Sequence, residues 1–273
     1  MLRNTNDLKD YAIHATDGNI GSVEDCFFDD EMWTVRYLVV DTGSWLTGRK
    51  VLISPISMAG PNWGDRTIPV SITKEQVTNS PDIDTHMPVS RQLESRYLGF
   101  YGYPSYWGGS SLWASGLYPG MLMPGYGGLD PIPVTLSQQT EIELGADAEN
   151  RGAERADIHL RSCNEVKDYH IHAKDGELGH VEGFLLDEET WAIRYIVVNT
   201  SNWWLGHLVL VAPEWIDEIR WLDRTVAINL TRQSIQDAPP YDADAELSRE
   251  QEIAIHQHYD RTGYWISTPT REG

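Results

Sequence analysis

Short runs in which apolar residues alternate with polar ones, or crowd them out, come first along the chain, and helical spacing arrives only after them. Two such runs flank Asp17 and Gly18. Gly supplies the positive φ that a tight primed turn needs, so the pair predicts a hairpin whose return strand covers residues 23–28. Trp33, Val35, Tyr37, Leu38, Val39 and Val40 follow an acidic turn of Asp29, Asp30 and Glu31 and predict a strand over residues 33–40. Further strands are expected at residues 50–54 and just after Asp65, Arg66 and Thr67. Thr73 with Gln76 fits a capping box that opens a short helix, Pro81 stops it, and a second helix is expected to start at Ser90.

The whole pattern then returns. Tyr11 recurs as Tyr169 and Trp107 as Trp265, an ungapped offset of 158 residues, with about a third of the paired positions identical. Strands are accordingly expected at residues 181–186, 191–198, 208–212 and after Asp223, Arg224 and Thr225. Pro239 ends a short helix, and Ser248 with Gln251 repeats the capping box. A period this long marks one small domain duplicated rather than a solenoid. Five or six short antiparallel strands with small helices predict, in each copy, a compact β-barrel or rolled sheet, because so small a sheet must curl to hide its apolar face and its edges. The expected fold class is therefore mainly β with minor helix: two small barrels in tandem, related by an approximate two-fold and packed as a pseudo-dimer. The expected boundaries are residues 1–96 for the first repeat with its helices, 97–158 for a linker, and 159–273 for the second repeat with its helices.

The linker differs in kind from its flanks. Between Tyr97 and Thr140 the only charged residue is Asp130, and Gly, Pro, Tyr, Trp and Met are dense. That composition opposes regular structure and reads as a loop or spacer, either a sticky docking arm or a segment folded back over a barrel. The remainder, residues 141–158, is charged.

Charge narrows the partners. With 41 acidic and 21 basic residues the chain carries a formal charge of −20, a field that repels phosphate backbones and anionic lipid heads. Nucleic acid is not expected as a partner, and any membrane contact is expected to be peripheral. Cys26 and Cys163 are the two cysteines, with no CxxC pair, and reduced thiols in a cytoplasmic protein are the simpler reading. The first ten residues hold no apolar signal core, and no run of about 18 apolar residues occurs, so an unsecreted protein is expected.

Candidate chemistry is sparse. His170 and His172 share one face of a predicted strand and His159 is nearby in sequence, which makes these three the metal candidates. No carboxylate or cysteine completes their set, and no cofactor is expected. Glu24 and Glu182, Arg36 and Arg194, Asp65 and Asp223, and Arg66 and Arg224 recur between the copies, and cross-strand Glu–Arg pairing with turn anchoring explains them. There is no GxSxG elbow, phosphate loop, HExxH or dinucleotide fingerprint. Tryptophans are the strongest lead. Trp45, with Trp203 and Trp204, lies in a loop beside Ser44, Gly48, Asn202 and Gly206, where large rings serve as interface anchors or cap the open end of their own barrel. Tyr103, Tyr106, Trp107 and Trp113 in the linker join them as partner-binding candidates.

The turns Asp17 to Gly21 and Asp175 to Gly179 carry a family resemblance, together with Arg36-Tyr37, Arg194-Tyr195, Pro55, Pro213 and the closing helices before Pro81 and Pro239. Each copy resembles the PRC-barrel domain, over roughly residues 5–85 and 160–245. The family is named for the cytoplasmic domain of the photosynthetic reaction-centre H subunit, and the layout is similar to that of uncharacterised bacterial two-PRC-barrel proteins. The membrane helix of the H subunit has no counterpart here. The resemblance implies a small β-barrel used as an interaction module rather than an enzyme. The expectation is thus a non-enzymatic adaptor or assembly module whose protein partner is unidentified. It stands beside a self-assembling structural protein and a metal or redox protein using His159, His170 and His172.

Overall fold

The computed structural model describes residues 1–81, 89–107, 109–114, 116–124, 159–200 and 206–266. These are mainly β, in two sheets with few helices. They form two compact units: Met1 with Arg3–Glu165 and Leu186–Ile193, and Leu2 with Val166–Leu185 and Arg194–Gly273. Among the described residues no helix is long and apolar enough to cross a membrane.

In the first unit the strands are β1 (Leu2–Asn4), β2 (Ala12–Ala15), β3 (Gly18–Asp29), β4 (Thr34–Asp41), β5 (Lys50–Ile53), β6 (Thr67–Pro69) and β7 (Leu160–Ser162). The predicted hairpin is β2–β3, and β4 is the predicted aromatic and β-branched strand. The sheet order is β5-β4-β3-β2-β6, with β7 added beside β3. Not all pairs are antiparallel as expected: β6 runs parallel to β2, with Ile68 opposite Ile13. The chain leaves β5 through a 3-10 turn at Pro55–Ser57 and a loop, and it re-enters the sheet in the direction of β2 instead of folding back as a hairpin. Ile13, Ile20, Phe28, Val35, Leu38, Val40, Ile53, Ile56 and Ile68 are fully buried and form the core.

The second unit repeats the plan with β8 (His170–Ala173), β9 (Gly176–Asp187), β10 (Ile193–Asn199), β11 (Leu208–Val211), β12 (Ile216–Arg220) and β13 (Thr225–Ile228). Its order is β11-β10-β9-β8-β13-β12, again with a parallel pair, β13 on β8. Strand β1, whose Leu2 is counted in this unit, is added beside β9.

The repeated turn motif has two physical jobs. A Cβ at Gly21 would sit 2.0 Å from the Asp41 carbonyl oxygen, and one at Gly179 2.0 Å from that of Asn199, so only glycine lets the long strand pass the end of its neighbour. The turn aspartate is a helix anchor. Asp17 Oδ1 accepts from the Lys74 backbone N–H at 2.8 Å and Asp175 Oδ1 from that of Arg232 at 2.7 Å, each at the start of a helix. Those helices are α1 (Lys74–Asn79) and, in the second unit, α4 (Arg232–Gln236); α2 (Arg91–Tyr101), α3 (Cys163–Val166) and α5 (Arg249–His258) complete the set among the described residues. The capping boxes at Thr73 and Ser248 form as expected, and Ser90 caps α2.

The first unit holds the acidic turns of both repeats, and their bonds interchange under the 158-residue offset. Val35 N–H donates to the Trp191 carbonyl at 2.8 Å, and Ile193 N–H to the Trp33 carbonyl at 2.6 Å. Thr34 is bridged to Ala192, its own repeat equivalent. Both tryptophans sit in the left-handed region, at φ 48° and 61°, where a bulky residue is an outlier. Asp30 N–H donates to the His159 carbonyl and Glu188 N–H to that of Met1. Arg161 pairs with Asp30 at 3.0 Å and Arg3 with Glu188 at 2.5 Å. β1 and β7 are themselves repeat equivalents, so each copy's opening strand has gone to the other copy's sheet.

Candidate functional site

The segment expected to be a linker is, from residue 97 to residue 124, part of the first unit. Helix α2 runs through residue 97 to Tyr101, and Gly102, at φ 71°, ends it in the left-handed conformation that glycine tolerates best. The chain then crosses a polar cluster at the foot of β4. Arg36, 1 % exposed, lies between two rings, 3.9 Å from the centroid of Tyr106 and 4.6 Å from that of Trp113. Its Nη1 donates to the Leu112 carbonyl at 2.5 Å and its Nη2 to Asp29 Oδ2 at 3.2 Å. Trp113 is fully buried and donates from Nε1 to the Thr190 carbonyl at 2.9 Å.

Glu94 of α2 faces the same cluster from the other side. One carboxylate oxygen accepts from the Tyr106 hydroxyl, and the other accepts from Arg91 Nη1 at 3.2 Å. Arg91 also donates to Tyr106 Oη at 2.8 Å and lies 3.5 Å from Asp29 and from Glu31. Burial pushes the Glu94 carboxyl up to about 7, against the opposing pull of the Tyr106 hydrogen bond and the Arg91 charge. Burial and then the Glu94 charge raise the Tyr37 phenol, and burial lowers the Arg36 guanidinium.

The second unit builds the same cluster from the equivalent residues. Arg194 lies 4.2 Å from the Tyr264 ring centroid, and Arg249 lies 5.3 Å from Tyr264 and 4.5 Å from Trp265. Glu252 accepts from Tyr264 at 2.9 Å and Tyr195 at 3.1 Å and pairs with Arg249 at 2.8 Å. The Tyr195 hydroxyl also meets His256 Nε2 at 3.0 Å, in a pocket of rings made by Trp215 and Trp265. The copies differ in cover: Arg91 keeps 12 % of its side chain exposed, and Arg249 48 %. Chemically, both clusters commit charged groups to one another and fasten a C-terminal helix and an aromatic tail to a sheet.

The residues singled out from sequence fall in different places. Tyr103, Tyr106 and Trp113 are buried and Trp107 is half-buried, with Arg91 over its ring at 4.8 Å. Trp45 is half-buried; its indole N–H donates to the Ile20 carbonyl and the Lys74 ammonium sits 4.3 Å from its ring, so it caps its own sheet. Trp203 and Trp204 lie outside the described residues. His159 belongs to the first unit, 3.3 Å from Glu31 and 3.7 Å from Asp30, while His170 and His172 are exposed on β8 of the second, His170 at 3.0 Å from Glu177. Among the described residues no three His, Cys, Asp or Glu side chains gather as a metal site would require. The recurring Glu24 pairs with Lys50 at 2.8 Å rather than with an arginine, because Arg36 is taken by Asp29 and its two rings.

Sequence reasoning missed Arg91 and Arg249, Glu94 and Glu252, and the pairing of Tyr106 with Tyr264. The signal was present: all three pairs keep the offset of 158. The low-charge composition beyond Tyr97 hid it, because it reads as linker in one copy and as helix and tail in the other. No protein-family model matches the chain, and a search of curated proteins returns no match.

Proposed function

We propose that the chain is a tandem PRC-barrel protein that works as a non-enzymatic interaction adaptor, with its contact surface on the segment after α2. The carrying observation is what that segment does with its apolar side chains. It spends Tyr103, Tyr106 and Trp113 on anchoring, and it holds Leu117, Tyr118 and Met121 in water at 52 %, 45 % and 44 % exposure. Leu117 and Tyr118 lead into a short 3-10 turn, Pro119–Leu122, that carries Met121, whose side chain lies beside Gly116. A fixed apolar surface of this kind marks a docking site. The fold plan supports the reading as well: two copies of one small sheet, each closed by a polar lock.

The partner is a protein face with an apolar centre and a basic rim, since a chain of net charge −20 attracts cationic surfaces. Leu117, Tyr118 and Met121 are exposed, so replacing all three with Ser leaves the core intact. Wild type and this variant, each tagged, are compared for capture from native lysate. A basic partner retained by wild type and lost with the variant is the expected result. Capture unchanged by the three substitutions overturns the proposal, and recovery of only the chain itself replaces an adaptor with self-assembly.

A further inference from the structure

Cys26 and Cys163 are 137 positions apart in sequence and both lie in the first unit. β7 runs antiparallel to β3 with Phe28 opposite Arg161 and Phe27 opposite Ser162. Beyond this pair the chain turns into α3 at Cys163, and the Asp25 side chain holds both neighbours of Cys163: it accepts from the Asn164 backbone N–H at 3.1 Å and from the Ser162 hydroxyl at 2.5 Å. The last ladder pair and this clasp bring Cys26 and Cys163 next to each other. The ladder pair beside them, Phe27 with Ser162, belongs to a geometry with Cα atoms about 4.5–5.5 Å apart, and a disulfide tolerates about 4.4–6.8 Å. Both side chains are buried, at 2 % and 6 % exposure, and both are thiols. They also feel each other: burial raises both thiols well above the ordinary value, and the Cys26 charge adds to the rise at Cys163.

We infer that Cys26 and Cys163 form an oxidation site, closed to an intramolecular disulfide by a small hydroperoxide, which staples β7 onto β3. One thiolate attacks a peroxide oxygen; the O–O bond breaks, a sulfenic acid forms and the departing hydroxide takes up the thiol proton as water. The second thiol attacks the sulfenic sulfur, the S–O bond breaks and a second water leaves as the S–S bond forms. Two electrons pass from the two sulfurs to the peroxide, and a dithiol reductant reverses the change. A hydroperoxide is small enough to reach sulfurs that a bulky disulfide reagent cannot. With the thiols held protonated by burial the step is slow, which suits a lasting staple better than a rapid sensor. The repeat-equivalent positions are Thr5 and Phe184, so the second copy has no such bridge.

The full chain is incubated with hydrogen peroxide and analysed by non-reducing intact mass and peptide mapping. The expected product is a monomer lighter by two hydrogens, with one cross-linked peptide joining Cys26 to Cys163. Its thermal midpoint should lie several degrees above that of the reduced protein, and dithiothreitol should reverse both changes. Disulfide-linked dimers, oxygen retained on either sulfur, or thiols left intact overturn the inference. C163S gives an independent reading: peroxide should then leave oxygen on Cys26. Should that variant fail to fold, the wild-type mass decides the matter alone.

Discussion

A carboxyl group kept from water, as that of Glu94 is, makes folding depend on protons. Its value rises from 4.5 in the unfolded chain to about 7 in the folded one, so folding takes up a proton between those limits. The associated stability is fully present below pH 4.5, is lost as the pH climbs through 7, and changes no further above that. The size is about 3 kcal/mol, from about 1.4 kcal/mol per pH unit. Denaturant titrations at pH 5 and pH 8 should therefore show wild type losing about 2–3 kcal/mol more than E94Q, whose amide stays neutral and whose one oxygen replaces one of the two acceptors that serve Arg91 and Tyr106. Equal losses would mean that Glu94 is ionised throughout. At this scale the sequence was a poor guide for a clear reason. A buried Arg36 or Glu94 has no local signature, since arginine and glutamate ordinarily sit in water, and what buries them is a ring 70 or 77 positions away, in Tyr106 and Trp113 around Arg36.

The elements were more legible than the residues, and unevenly so. Strands β3, β4, β9 and β10 were readable because β-branched and aromatic residues crowd them, and α1 and α5 because their caps are local chemistry. Strands β1 and β7, three residues each, are too short to have a period at all. The segment after α2 misled for another reason. Gly and Pro density predicts looseness, but one buried arginine clamped by two rings fixes the chain without regular hydrogen bonding. Truncating a ring in that clamp tests the point. W113A should cost about 3–5 kcal/mol, the range for emptying a buried aromatic site, and limited proteolysis should then cut between residues 103 and 124. W45A removes a half-buried cap and should cost about 1 kcal/mol, with no new cleavage there. Similar costs for both would make the segment an ornament on the first unit rather than part of it.

The whole molecule is one small plan written twice and carrying a charge of −20. Self-repulsion at that charge should outweigh the surface ion pairs such as Lys50 with Glu24 and Arg220 with Glu218. Raising salt from about 0.01 M to about 0.5 M shortens the screening distance several-fold and should raise the melting temperature; a fall would place the ion pairs ahead of the repulsion. Duplication was visible in the sequence from Tyr11 to Trp107 and again from Tyr169 to Trp265, but the exchange of opening strands was not, because two equivalent strands read alike whichever sheet receives them. That exchange has a consequence for how the chain is made. A ribosome delivers β1 roughly 170 residues ahead of its neighbour β9. At about 5–20 residues per second, β1 therefore waits for tens of seconds with no strand to join. Repeat 1 waits in turn for β7 to cover β3. The first sheet is complete once β7 has emerged and the second only after β13, and an interruption between them leaves an open sheet edge for a chaperone or for another nascent chain to find.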